Sequence, residues 1–210
     1  MRKLLITIMV AMMTIGNVQA QIPADVAEIM RKCDETMSSP NGVELTMEMK
    51  TSFAFITLTN VNMVMGSKDD KFKVLMSFSM LGKEIAMESG FDGTQEWVAT
   101  KDSVHISDTP TAKQKDNGAD LGIYKDYRKA KMKEKKDYYD IEFWDPIDKD
   151  SELKSVNVKV SKSNYMMKEL KMSAKGAKVN INIKKVKKGL GDNYFKLDMS
   201  KYPNAKVVHK

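Results

Sequence analysis

The sequence predicts a mainly antiparallel β fold whose sheet has one apolar, methionine-rich face. The first observation is residues 72–97, where Phe72, Val74, Met76, Phe78 and Met80 occupy every second position. One face of an extended strand therefore carries all of them. The second is the pair Asp92-Gly93, which predicts a tight hairpin turn because Gly and Asp tolerate the positive φ angles that such turns need. The third is that similar alternation recurs through most of the chain, which predicts about ten strands against one or two helices.

Residues 1–20 have the composition of a cleaved secretory signal. Arg2 and Lys3 precede an apolar run, and Val18-Gln19-Ala20 forms a small-residue cleavage site. The apolar run, residues 4–15, is short for a membrane span. We therefore expect cleavage after Ala20, export, and a mature chain of residues 21–210 that folds as one domain.

A helix is predicted over residues 24–37. Asp25 and Glu28 in its first turn favour a helix start. Its apolar residues share one helical stripe, which consists of Val26, Ile29, Met30, Cys33 and Met37. Cys33 is the single cysteine of the chain, so an internal disulfide is impossible. We interpret it as a core residue, with a reactive thiol as the alternative.

The strands follow in order from residue 43. Residues 43–49 alternate between apolar and polar side chains, and between residues 53 and 65 the apolar positions change from even to odd numbers. A bulge near Thr59 and Asn60 would restore one apolar face, as a strongly curved sheet requires. Further strands are predicted at 72–80, 85–91, 97–99, 104–106, 139–143, 156–160, 166–172, 179–183 and 195–199. Residues 110–122 are expected to be irregular.

Positive charge is concentrated in residues 125–136, which we expect to have weak helical character. The chain has a formal net charge of +7, and this segment holds seven cations against Asp126 and Glu134. The cations are Lys125, Arg128, Lys129, Lys131, Lys133, Lys135 and Lys136. Two interpretations stay open: a solvated surface, or a contact for anionic lipid or an acidic partner. Nucleic acid is not expected, because the protein is exported and has no interleaved aromatic platform.

Methionine is unusually frequent on the predicted apolar faces. The chain has 18 Met, four of them in residues 1–20. Met has a flexible side chain and a polarizable sulfur, so it suits cavities that accept variable apolar shapes; an ordinary Met-rich core is the alternative. The candidate cavity residues are Met47, Met63, Met65, Phe72, Val74, Met76, Phe78, Met80, Ile85, Met87, Trp97 and Met172.

Catalytic and metal-binding patterns are weak in this sequence. His105 and His209 are the two histidines, so a histidine-based metal site or catalytic triad is not expected. The carboxylates of residues 145–152 lack the glycine and terminal glutamate of a hand-type calcium loop. We therefore expect neither an enzyme nor a cofactor.

Four stretches resemble the LolA-like periplasmic lipoprotein carriers in order and spacing. They are GSKDDKFKVLM at residues 66–76, GKEIAMESGFDGTQEWVA at 82–99, IEFWDP at 141–146 and FKLDMSKYPNAKVV at 195–208. The resemblance implies a half-open, incomplete antiparallel β-barrel with a helical lid. It also implies a hydrophobic cavity that shields the acyl chains of lipoproteins on their way to the outer membrane.

The resemblance also implies partners and one open question. We expect a periplasmic monomer that carries acylated lipoproteins or lipids, with an inner-membrane release complex and an outer-membrane acceptor. Well-studied members have an Arg-Pro pair after the second long strand that helps to latch the lid. Here Lys68-Asp69-Asp70 stands at that position, so no latch residue is assigned. The alternative function is an envelope sensor or structural module with the same fold.

Overall fold

One helix and twelve strands make up most of the described chain. The computed structural model describes residues 22–53, 56–80, 82–108, 123–174 and 176–209, and for residues 53, 56–59, 80 and 123 the backbone alone. The elements are α1 (Ala24–Met37), β1 (Val43–Phe53), β2 (Ile56–Lys68), β3 (Lys71–Met80), β4 (Lys83–Phe91), β5 (Glu96–Thr100), β6 (Ser103–Ser107), β7 (Tyr127–Glu134), β8 (Tyr138–Pro146), β9 (Leu153–Ser161), β10 (Met167–Ala174), β11 (Ala177–Lys188) and β12 (Lys206–His209). Residues 1–20 and 110–122, for which a signal and an irregular insert were predicted, lie outside the described residues.

All twelve strands belong to one open sheet. Its order is β12-β6-β5-β4-β3-β2-β1-β11-β10-β9-β8-β7. Neighbouring strands are antiparallel except β12 and β6, which are parallel. Because β7 and β12 are the two ends of this order and do not pair with each other, the sheet does not close. The predicted fold class, a mainly antiparallel open sheet with a helix, is confirmed.

The predicted bulge is present in β2. Lys50 of β1 pairs with Asn60, and the next residue, Thr51, pairs with Leu58, so Thr59 is the extra residue. A bulge bends its strand and increases the local twist. The extra residue compensates for the change from even to odd apolar positions, so Val61 and Met63 lie on the apolar face.

The helix packs on one half of the sheet and creates the main core. Its predicted stripe is buried, with Met30, Cys33 and Met37 fully inaccessible. The partners lie on β1 and on β7 to β11, and they include Phe143, Val158 and Met167. We call the face of the sheet that contacts α1 the inner face, and the opposite one the outer face.

Two predicted elements differ from the structure. The basic segment is not helical: after a 3₁₀ turn at Ile123–Asp126 it forms the edge strand β7. Its inner-face residues Ala130 and Met132 pack against the main core, and this burial decides the conformation. Residues 195–199 are not a strand, because two 3₁₀ turns, Asp192–Phe195 and Met199–Lys201, carry the chain across the outer face to β12.

Candidate functional site

The inner face of β2, β3 and β4 is the candidate site. Register places eight predicted cavity residues there, which we call the Met-rich wall: Met63, Met65, Phe72, Val74, Met76, Phe78, Ile85 and Met87. Each of them is half-buried. Met63 and Met65 touch the main core, whereas the six on β3 and β4 lie outside it. The part of the chain that the structure describes therefore covers the β2 side of the wall and leaves the β3 and β4 side accessible.

One row of methionines crosses four neighbouring strands. Met47 of β1 pairs with Met63, Met63 pairs with Met76, and Met76 pairs with Met87. We call this row the methionine ladder. Directly opposed side chains in a sheet are about 5 Å apart at Cβ, so these thioethers form a continuous strip. The strip runs from the closed core at Met47, which is 8% exposed, to the accessible wall at Met87.

The remaining predicted cavity residues have different surroundings. Met47 is buried in the main core beneath α1, and Met172 is half-buried against the same core. Met80 pairs with Lys83 through its backbone, and its side chain lies outside the described residues. The prediction for Trp97 is wrong: it pairs with Gly90, and the alternation along β4 puts that row on the outer face, opposite Met87.

Trp97 instead belongs to a second, smaller core on the outer face. It is 2% exposed and packs with Ala99 and Val104 against Leu197 and Tyr202. The last two residues lie in the segment 190–205, which we call the C-terminal segment. The indole lies directly over Gly90, where an added Cβ would come within 2.4 Å of Trp97. The absence of a side chain at Gly90 therefore permits this contact.

A buried ion pair attaches the C-terminal segment to the sheet. Lys73 Nζ lies 3.0 Å from Glu88 Oε1 and donates a hydrogen bond of 3.0 Å to the carbonyl oxygen of Lys196. The Tyr202 hydroxyl donates to Glu88 Oε2 at 3.2 Å, and Lys201 Nζ lies 3.6 Å from that oxygen. Burial, followed by the nearby Glu88 charge, raises the pKa of Tyr202 to about 12. The tyrosine is therefore a neutral hydrogen-bond donor at physiological pH.

Sequence reasoning missed this group of residues. Lys73 alternates with the apolar residues of β3 and has the pattern of a solvated position, yet it is 6% exposed. Its partner Glu88 is 2% exposed. Lys73 pairs with Gly90, and Leu75 pairs with Glu88, so the register of β3 with β4 brings the side chains of Lys73 and Glu88 together. No local signal in the sequence indicates this ion pair.

Two open clefts differ in their relation to the Met-rich wall. One, of about 420 Å³, lies between β2 to β4 and the C-terminal segment; its lining is mainly apolar and includes Leu75 and Tyr202 together with the wall residues Met76 and Met87. The other, of about 430 Å³, is of mixed polarity and is lined by residues of the 3₁₀ turn before β7 and of the β8–β9 connection. The first cleft therefore adjoins the methionine ladder, and the second does not.

The predicted basic contact surface is partly neutralised by β8. Lys131 Nζ lies 2.8 Å from Glu142, and Asp145 lies 3.4 Å from Lys129 and 3.6 Å from Arg128. Lys125 belongs to the 3₁₀ turn before the strand. Lys133, Lys135 and Lys136 are exposed around the β7–β8 turn. The segment is thus a mixed-charge edge whose excess positive charge lies at the turn, and its contact with an anionic surface stays a prediction.

The single thiol of the chain is buried and unreactive. Burial raises the pKa of the Cys33 thiol to about 12, with the neighbouring Asp34 adding to the effect, so the thiol stays protonated in the core. The described residues bring no three His, Cys, Asp or Glu side chains together in a group that could hold a metal ion. Among the helices that the structure describes, none has the length and apolar character needed to cross a bilayer.

Comparison with solved structures finds similar proteins at low sequence identity. An uncharacterized conserved protein from Thermus thermophilus has a TM-score of 0.52 and 9% identity, covering 89% of this chain and 99% of that one. A LolA superfamily protein from Nitrosomonas europaea has a TM-score of 0.37 and 14% identity, covering 82% and 97%. LprF from Mycobacterium bovis has a TM-score of 0.48 and 7% identity, covering 80% and 95%. No protein-family model and no curated protein matches the chain.

The likeness to the Thermus thermophilus protein shows the fold alone. That fold is an open, twelve-stranded, mainly antiparallel sheet with one helix packed on its inner face. At this identity the likeness does not extend to the activity. Function must therefore be argued from the site.

Proposed function

We propose that this protein is an exported carrier, without catalytic activity, that binds the acyl chains of lipids or lipoproteins against the Met-rich wall. The observation that carries the proposal is a wall of half-buried apolar residues on β3 and β4 that extends from a closed core without being part of it. A contiguous apolar surface of this kind indicates a binding site when it is not covered.

The energetics of the proposed binding are favourable. Each methylene that leaves water contributes about 0.8 kcal/mol, so one long acyl chain gains on the order of 10 kcal/mol before ordering costs. A carrier must also release its cargo. Met side chains rearrange easily, so the wall adapts to different chains without the rigid complementarity that would hold them permanently.

The proposal includes a location and a route. The signal-like residues 1–20 support export, and a carrier of acylated cargo has its use in the periplasm of a two-membrane bacterium. It would take cargo from a release complex in the inner membrane and deliver it to an acceptor in the outer membrane. Transfer of a bound acyl chain to outer-membrane vesicles is the corresponding assay.

The test places a charge on the wall. Met76→Asp and Met87→Asp should each lower the affinity for a fluorescent fatty acid about tenfold or more, because an apolar chain cannot lie against a carboxylate without removing its water. Both positions are half-buried, so the carboxylate stays hydrated in the free protein. The thermal unfolding midpoint should therefore remain close to that of the wild type.

Two matched variants control this test. Met199 is 39% exposed and lies outside the wall, so Met199→Asp should change neither binding nor stability. Met30 is fully buried beneath the sheet, so Met30→Asp should prevent folding. If Met76→Asp and Met87→Asp unfold as Met30→Asp does, the wall is an ordinary core. If they fold and bind the probe fully, the acyl site lies elsewhere.

A further inference from the structure

The methionine ladder has an arrangement that a merely apolar surface does not need. Met63, Met76 and Met87 are directly opposed on three adjacent strands. Leu or Ile would fill the same positions with better-defined rotamers. The thioether differs from those side chains chemically, because its sulfur accepts an oxygen atom and becomes a polar sulfoxide.

Accessibility differs between the ladder and the main core. Met30, Met37 and Met167 are fully buried in the main core. Met63, Met76 and Met87 are half-buried on the wall. Because an oxidant must reach the sulfur, Met76 and Met87 on the accessible side of the wall are open to modification in the folded protein, Met63 beside the core is less open, and the three core methionines are protected.

The thiol does not compete with the ladder for an oxidant. Cys33 is fully buried, and the thiolate is the form that reacts. Since its pKa is raised to about 12, almost none of that form exists at neutral pH. The thioethers of Met76 and Met87 need no deprotonation and are accessible to solvent.

We propose that Met63, Met76 and Met87 form an oxidation site at which hypochlorous acid converts thioethers to sulfoxides and so releases acyl cargo. The sulfur gives two electrons to the chlorine and takes up the oxygen of the hypochlorous acid. The chlorine leaves as chloride, and the hydrogen leaves as a proton. Each sulfoxide puts a polar oxygen on the surface against which the acyl chain lies. This inference rests on the proposed carrier function.

The experiment uses the mature chain and a fluorescent fatty acid. Limited treatment with hypochlorous acid, followed by mass mapping, should find oxygen on Met63, Met76 and Met87 before Met30, Met37 and Met167. Affinity for the probe should fall about tenfold or more, because an unpaired polar group opposes burial of the chain. Methionine sulfoxide reductases should restore the affinity.

Two variants show whether the ladder is responsible. In the triple variant Met63→Leu, Met76→Leu, Met87→Leu, the ratio of probe affinity before and after oxidation should be much closer to one than in the wild type, whatever the starting affinity, although Met65 remains on the wall. Met199→Leu removes an exposed methionine outside the wall, so it should keep the full loss on oxidation.

The outcomes separate this inference from the carrier function. If the untreated protein does not bind the probe, the carrier proposal and the oxidation switch both fail. If it binds and oxidation leaves the affinity unchanged, only the switch is overturned. An equal loss in the triple leucine variant would likewise overturn the assignment to these three residues.

Discussion

Lys73 and Glu88 form an ion pair that is almost completely removed from water. Their side chains are 7% and 2% exposed, so both charges lose most of their hydration on folding. Such a pair contributes little net stability, but it makes the loss of either partner costly. Because Lys196 and Tyr202 also bind to it, the pair determines where the C-terminal segment lies on the outer face.

A double-mutant cycle measures this coupling. Glu88→Gln leaves the Lys73 ammonium buried without a counter-ion and should lower the free energy of unfolding by about 3–5 kcal/mol. Lys73→Met should have a similar effect, and the double variant Lys73→Met, Glu88→Gln should lose less than the sum of the two. Urea unfolding checks all three.

Lys184 provides the matched control for the cycle. It pairs with Glu48 at 3.0 Å, but the two side chains are 51% and 40% exposed. Lys184→Met should therefore change stability by less than about 1 kcal/mol. Strict additivity in the Lys73–Glu88 cycle would show that the two charges are not coupled.

At the scale of elements, β4 and β5 are joined through a glycine. An added Cβ at Gly90 would lie 2.4 Å from the Trp97 ring and 2.8 Å from the backbone oxygen of Phe72. The ring can move, but the backbone oxygen is fixed by the β3–β4 pairing. The close contact of these strands with the outer-face core therefore requires glycine at this position.

Gly90→Ala should destabilise the protein by about 1–3 kcal/mol, because overpacking at this site displaces Trp97 or the strand. Gly191 is the control, since nothing lies within 4 Å of its added Cβ and its φ of −74° suits any residue. Gly191→Ala should change stability by about 0.5 kcal/mol or less, as at other exposed positions. Trp97 fluorescence during urea unfolding reports both. Equal midpoints for the two variants would contradict the packing argument.

The strands that the sequence predicts well are those whose burial alternates along the chain. The pattern at residues 72–80 and the change of phase near Thr59 are local, so β3 and the β2 bulge could be found without tertiary information. β7 could not, because its many lysines have low strand propensity and only pairing with β8 makes it a strand. There the burial of Ala130 and Met132 outweighs the low strand propensity of the lysines.

The candidate site was predictable as a set of residues but not as a geometry. Periodicity places Met76 and Met87 on apolar faces, but their opposition in one ladder depends on register between strands. Trp97 has the alternation expected of a strand residue, but nothing local indicates on which side of the sheet the helix packs. The side on which the helix packs depends on the tertiary structure as a whole.

At the scale of the whole molecule, the excess positive charge is unevenly placed. Across the β7–β8 pair, Lys129 and Lys131 have carboxylate neighbours. Among the described residues, no ion pair involves Lys133, Lys135 or Lys136. Charges of this kind attract an anionic membrane surface by about 1 kcal/mol each at close range.

The variant Lys133→Gln, Lys135→Gln, Lys136→Gln should therefore bind vesicles that contain anionic lipid more weakly than the wild type. Added salt should weaken wild-type binding in the same way, because it screens exposed charges. The control Lys178→Gln, Lys185→Gln, Lys187→Gln removes equal charge from exposed positions of β11. An equal loss in both triple variants would mean that net charge, and not the β7–β8 turn, determines binding.

The pairing of β1 with β11 at the centre of the sheet also has a consequence for folding. β1 pairs with β2 through a short connection, but residue 47 lies beside residue 183 on its other side. In a chain made from its N-terminus, the β11 side of β1 stays unpaired until nearly the whole sequence is available. Long-range pairings of this kind slow folding, and exposed edges promote aggregation. Refolding should therefore be slow and dependent on concentration, and a holding chaperone that shields β1 would raise the yield of native protein.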